Sequence, residues 1–135
     1  MKAIEIKRGD IVFVENPNKK PHGHVVCSNH PAVVIQNNKG NEHSTNIIVA
    51  FITSSMKRLE MPTHIVIQHY DGLRKVSVVQ AEQLATIDKG DVISVIDHLS
   101  DADMARVDQA LKVSLELVTA YREAPWKVMR KSYQR

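Results

Sequence analysis

Four side chains with chemistry near neutral pH fall within nine positions of one stretch: His22, His24, Cys27 and His30. An imidazole donates a hydrogen bond to a phosphate and can also move a proton at physiological pH. Imidazole and thiolate together also suit zinc, although this spacing is not that of a standard finger. Histidines clustered in a polar loop are, in the ordinary case, simply solvated. His30 is the most constrained of the four, because it stands directly before Pro31 at the mouth of the apolar run "AVVIQ".

The elements that position these groups are mostly short strands. "DIVFVEN" from Asp10 to Asn16 is rich in β-branched residues and ends at the turn signal Asn16-Pro17. A long polar loop from Pro17 to Asn29 follows. Ala32–Gln36 is a continuous apolar run of the kind buried on both faces, and "NNKGNEHS" after it reads as a turn. Further strands are predicted over Thr45–Thr53, Pro62–Gln68, Lys75–Leu84 and Asp91–Asp97, with the turn "YDGL" between the second and third of these. One helix is predicted. Ser100 suits its N-cap, Asp101 and Asp103 fall in the positive first turn, and Met104, Val107, Leu111, Leu115 and Val118 form one apolar stripe. The pattern predicts a mainly β fold, a small twisted antiparallel barrel capped by a C-terminal helix.

At 135 residues the chain suits one compact domain. Its 18 basic and 15 acidic residues give a net charge of +3, compatible with a nucleic-acid partner without requiring one. Five basic residues (Arg122, Lys127, Arg130, Lys131 and Arg135) stand against Glu123 near the end, so the excess sits in a basic tail over 121–135, after a domain over 1–120. The single cysteine excludes an intrachain disulfide, the start "MKAIEIKRGD" lacks the apolar run of a signal peptide, and no stretch approaches the length of a membrane span. A cytoplasmic protein is expected. With only two phenylalanines, one tryptophan and three tyrosines, the chain has few aromatic platforms for stacking bases.

The ordered strings "KRGDIVFV", "HPAVVIQNN", "NIIVAFITS", "PTHIVI", "SVVQAEQLATIDK" and "LSDADMARVDQALKVSLEL" together resemble the MazF/PemK family of toxin endoribonucleases, over roughly Lys7 to Leu117. The resemblance implies an SH3-like barrel and a homodimer with its RNA groove along the subunit boundary. It also implies cleavage of single-stranded RNA without metal or cofactor, and a cognate antitoxin whose flexible tail fills that groove.

Metal-free RNA cleavage uses the 2′-hydroxyl as nucleophile on the adjacent phosphorus, so it requires a proton acceptor, donors to the phosphoryl oxygens, and a proton for the departing 5′-oxygen. By resemblance Thr53 is the catalytic threonine, with Ser54 and Ser55 beside it; the bland alternative is a threonine that bonds its own backbone at a strand end. Where the family carries an arginine before the strand-opening proline, this chain has His30. Glu82 matches an acidic acid–base residue of the PemK branch, whose arginine two positions earlier is replaced here by Gln80. Gln83 is a plausible base reader, and His24 stands at the offset of a functional loop histidine of that branch. The implied catalytic set is therefore His30, Thr53, Glu82 and His24, with His22, Ser54, Ser55, Gln80 and Gln83 contacting RNA. A rival reading is a weakened or non-catalytic binding module resembling the CcdB gyrase poisons, since both family arginines are absent.

Overall fold

The structure, a computed structural model, describes residues 4–15 and 29–118. His22, His24, Cys27 and the basic tail from residue 121 lie outside the described residues. Six strands form one antiparallel sheet: β1 (Asp10–Val14), β2 (His30–Val34), β3 (Asn46–Thr53), β4 (His64–Ile67), β5 (Ser77–Asp88) and β6 (Val92–His98), in the order β4-β5-β3-β2-β1-β6. Two helices accompany them, α1 (Asn38–His43) and α2 (Asp101–Ser114). The mainly β architecture with a C-terminal helix is as expected, but the sheet is not closed: β4 and β6 are its edges.

The sheet is buried on both faces, which is why its central strands read as unbroken apolar runs rather than alternating ones. Ile11, Val33, Ile52 and Val79 face Val107, Ala110 and Leu111 of α2. Val12, Val14, Val34, Val49 and Phe51 belong to a second cluster on the opposite side. Ile87 of β5 and Val92 of β6 share that second cluster although β3, β2 and β1 stand between their strands, so the open sheet is strongly coiled around it.

Ser100 caps α2 as its residue type dictates, accepting a hydrogen bond from the Asp103 backbone N–H. The apolar stripe stops earlier than expected. Leu115 is the C-cap, 54% exposed, and Val118 lies beyond the helix. Glu116 adopts φ +57°, and the N–H groups of Glu116 and Leu117 close on the carbonyls of Val113 and Lys112, the double bond pattern that ends a helix regardless of apolar residues further on. The stretch expected as a plain turn after β2 instead holds α1. Asn37 caps it by accepting from Gly40 N–H at 2.8 Å, and the buried Asn41 amide donates to the Gln36 carbonyl at 2.9 Å. Cap and buried amide outweigh the turn preference of an Asn- and Gly-rich sequence.

Two features of this scaffold matter for the site. The loop between β4 and β5 is tied to α2 through Tyr70, whose hydroxyl donates to Asp103 at 2.6 Å and accepts from Ser100 N–H at 2.9 Å. Gly72 in that loop has φ +78°, and a Cβ there would lie 2.7 Å from Ile96 Cδ1, so the turn requires glycine. Among the described residues no helix is long and apolar enough to cross a membrane.

Candidate active site

Thr53 ends β3, and the β2–β3 register Ala32↔Phe51, carried two residues further, sets His30 across from it. The two residues line one groove of about 300 Å³ together with Ser54 and, from the β4–β5 loop, Arg74 and Lys75. His30 packs edge-on against Phe51, with ring centroids 6.4 Å apart and planes at 81°, which fixes the imidazole at the groove wall. Oγ1 of Thr53 accepts from Ser55 N–H at 3.1 Å. A threonine hydroxyl that accepts one bond still has its own hydrogen to donate, so the backbone contact and a phosphate contact are compatible.

Thr53 also lines a second groove, of about 580 Å³. A break in register builds it. Ala50 pairs with Leu84 but Ile52 pairs with Val79, so β5 bulges outward between those rungs, and the bulged segment carries Gln80, Glu82 and Gln83 to the groove. Ser55, Lys57, Arg58 and His64 face them. His64 Nε2 lies 2.6 Å from Glu82 Oε2, with 8% of the His64 side chain and 35% of the Glu82 side chain exposed. The bond to Glu82 raises the His64 imidazole above its ordinary value, against the opposing effect of burial. Burial pushes the Glu82 carboxyl upward, yet the hydrogen bond from His64, the Glu82 backbone N–H and the His64 charge leave it below the usual carboxylate range.

Comparison with known proteins assigns the chain to a family. The family described as "PemK-like, MazF-like toxin of type II toxin-antitoxin system" matches residues 7–115. The chain belongs to this family. It is 40% identical over 120 residues to the endoribonuclease EndoA of Bacillus subtilis (strain 168), covering 84% of this chain and 97% of that one. Its fold is that of MazF from Deinococcus radiodurans, with a TM-score of 0.70 at 18% identity over 84% of this chain and 98% of that one. A mycobacterial endoribonuclease in complex with its cognate antitoxin superposes with a TM-score of 0.67 at 20% identity, over 84% and 97%.

Of the residues that the MazF/PemK resemblance singled out, the structure gathers His30, Thr53 and Ser54 in the first groove and Thr53, Ser55, Gln80, Glu82 and Gln83 in the second. His22 and His24 lie outside the described residues, as does most of the proposed zinc set; among the described residues no group of three or more His, Cys, Asp or Glu side chains could hold a metal ion. Sequence reasoning missed His64, Arg74, Lys75, Lys57 and Arg58. The histidine sits inside the quoted string "PTHIVI", but only the β4–β5 pairing, in which His64 stands opposite Gln80, brings it to Glu82. Arg74 and Lys75 form an adjacent pair of cations in a short loop between strands. That pair is a signal legible in the sequence, because adjacent cations between two strands mark a candidate phosphate contact.

Proposed function

We propose that this chain is the toxin of a type II toxin–antitoxin system, a metal-independent endoribonuclease that cleaves single-stranded RNA through attack of the 2′-hydroxyl. The observation that carries the reading is that Thr53 borders both grooves. Thr53 lines one groove with the cationic and neutral donors His30, Ser54, Arg74 and Lys75, and the other with the proton acceptor Glu82, held by His64. A scissile phosphate seated at Thr53 receives hydrogen bonds and positive charge from the first side and has its 2′-proton within reach of the second. Arg74 and Lys75 compensate for the charge lost where the family's arginine is replaced by His30. Gln80 and Gln83, each able to donate and accept, read base edges along the second groove in place of aromatic stacking.

The expected setting follows the same reading: a cytoplasmic protein neutralised by a cognate antitoxin whose tail competes for the grooves, and active as a homodimer. Edge strand β6 leaves Ile93 and Val95 exposed at 51% and 38%, an apolar margin that a second copy would cover. Incubating the purified protein with RNA and DNA oligonucleotides of matched sequence, with and without EDTA, tests the proposal. RNA is cut in both conditions and DNA in neither; cutting that requires added metal, or that extends to DNA, would overturn it.

A further inference from the structure

The His64–Glu82 contact has a feature that the ion pair alone does not convey. His64 Nδ1 donates to the backbone carbonyl of Arg58 at 2.9 Å, while Nε2 faces the Glu82 carboxylate at 2.6 Å. Both ring nitrogens therefore point at acceptors. A neutral imidazole has one donor and one acceptor nitrogen, so the arrangement is satisfied only when the ring is the doubly protonated cation or when Glu82 itself carries the proton. Either way, one proton is held between the two side chains. The Arg58 carbonyl is aimed by a backbone conformation that residues with a Cβ seldom adopt, φ +57°, and it also accepts from Met61 N–H at 3.1 Å. Strain of this kind persists only where the surroundings enforce it.

Resting on the endoribonuclease reading, we propose that His64 is the positioning residue that holds Glu82 in the second groove as an ionised proton acceptor for the 2′-hydroxyl. His64 cannot take that proton itself, because both its nitrogens are engaged and only 8% of its side chain is open. Glu82 can. A carboxylate offers about four acceptor directions, so the bond to His64 leaves capacity for a substrate hydroxyl. In the step, the 2′-O–H bond breaks with its proton passing to Glu82, the 2′-oxygen bonds to phosphorus, the P–O5′ bond breaks, and the leaving oxygen takes a proton from water. The charged groups facing the pair are Lys57 and Arg58 on the β3–β4 loop, with Arg58 paired to Glu60 at 3.4 Å; β5 contributes only the neutral Gln80 and Gln83. The nearby charge is thus cationic or neutralised, and it favours the carboxylate.

Titration of the Glu82 carboxyl by carbon NMR in the full chain, alongside the pH profile of kcat/KM on an RNA oligonucleotide, tests this. In His64→Gln, which keeps a donor but removes the charge, the Glu82 midpoint and the acid limb of the profile move upward together. Glu82→Gln, at a more open position and safer for folding, lowers kcat by about 10²–10⁴-fold on the plateau above the acid limb, removes that limb, and returns the His64 ring midpoint toward its ordinary value. An unmoved Glu82 midpoint in His64→Gln, or a midpoint that moves while the acid limb stays, overturns the proposal. If Thr53→Ala cuts RNA as well as wild type while the titrations behave as stated, the placement of the reaction at the two grooves fails instead.

Discussion

His30 and Thr53 line one groove at the ends of β2 and β3, two residues beyond the paired Ala32 and Phe51. This arrangement puts an imidazole where a guanidinium stands in the MazF/PemK family, in the same groove as the threonine that borders both grooves. Replacing His30 with alanine removes a donor to the scissile phosphate and lowers kcat by about 10²–10³-fold with the fold intact. His30→Arg retains activity, because a guanidinium restores the permanent charge and planar fork of donors suited to phosphate oxygens. Parallel pH–rate profiles and circular dichroism of the three proteins decide the matter; a His30→Ala enzyme with wild-type rates would remove His30 from the mechanism.

Arg74 and Lys75 account for the positive charge of the first groove. Replacing both with alanine weakens RNA binding and flattens the dependence of log K on log salt by about 1.4, the contribution of two single-strand phosphate contacts. Fluorescence anisotropy of a labelled RNA across a salt series measures that slope. An unchanged slope would mean that these cations face solvent and not the substrate.

The His64–Glu82 pair also makes stability depend on pH in a defined window. The folded imidazole is raised above its ordinary 6.5, so its contribution is complete below that value and is lost as pH climbs through the folded midpoint. The folded carboxyl lies below its ordinary 4.5, so its contribution is complete above that value and is lost as pH falls through the lowered midpoint. The stability difference between wild type and His64→Gln is therefore largest between about pH 4.5 and 6.5 and shrinks on both sides. Its size there is about 1 kcal/mol, below the usual range for a charged hydrogen bond, because a third of the Glu82 side chain is open to screening solvent. Urea titrations at three pH values read this out. A difference that grows steadily with pH would contradict the pairing.

The strands and the capped helix were legible because their signals are local. Ser100 precedes two aspartates, and β-branched runs sit between turn residues. The helix end was not, because Leu115 and Val118 continue the apolar spacing while the left-handed Glu116 ends the helix by backbone geometry that side-chain pattern does not encode. Helix α1 was hidden for the converse reason: the cap at Asn37 and the burial of Asn41 are tertiary facts within a turn-like sequence. At the site, the family resemblance singled out Thr53 and Glu82, and the structure lines one groove with both. His64 could not be found the same way, since its role exists only once β4 is registered against β5 and the β5 bulge turns Glu82 toward it. The barrel became an open coiled sheet for want of any pairing between β4 and β6, which no single-strand pattern specifies.

The central claim is that the two grooves meeting at Thr53 cut RNA by using its own 2′-hydroxyl. An RNA oligonucleotide carrying a cleaved motif, and the same oligonucleotide with one 2′-deoxy substitution on the 5′ side of the scissile phosphate, incubated with the protein in EDTA, test it most directly. The account predicts that the all-ribose strand yields a 5′-hydroxyl fragment and a 2′,3′-cyclic phosphate, that the substituted strand stays intact at that bond, and that Thr53→Ala leaves both uncut. Cleavage of the substituted strand, or no cleavage of any RNA by a folded wild-type protein, would contradict it.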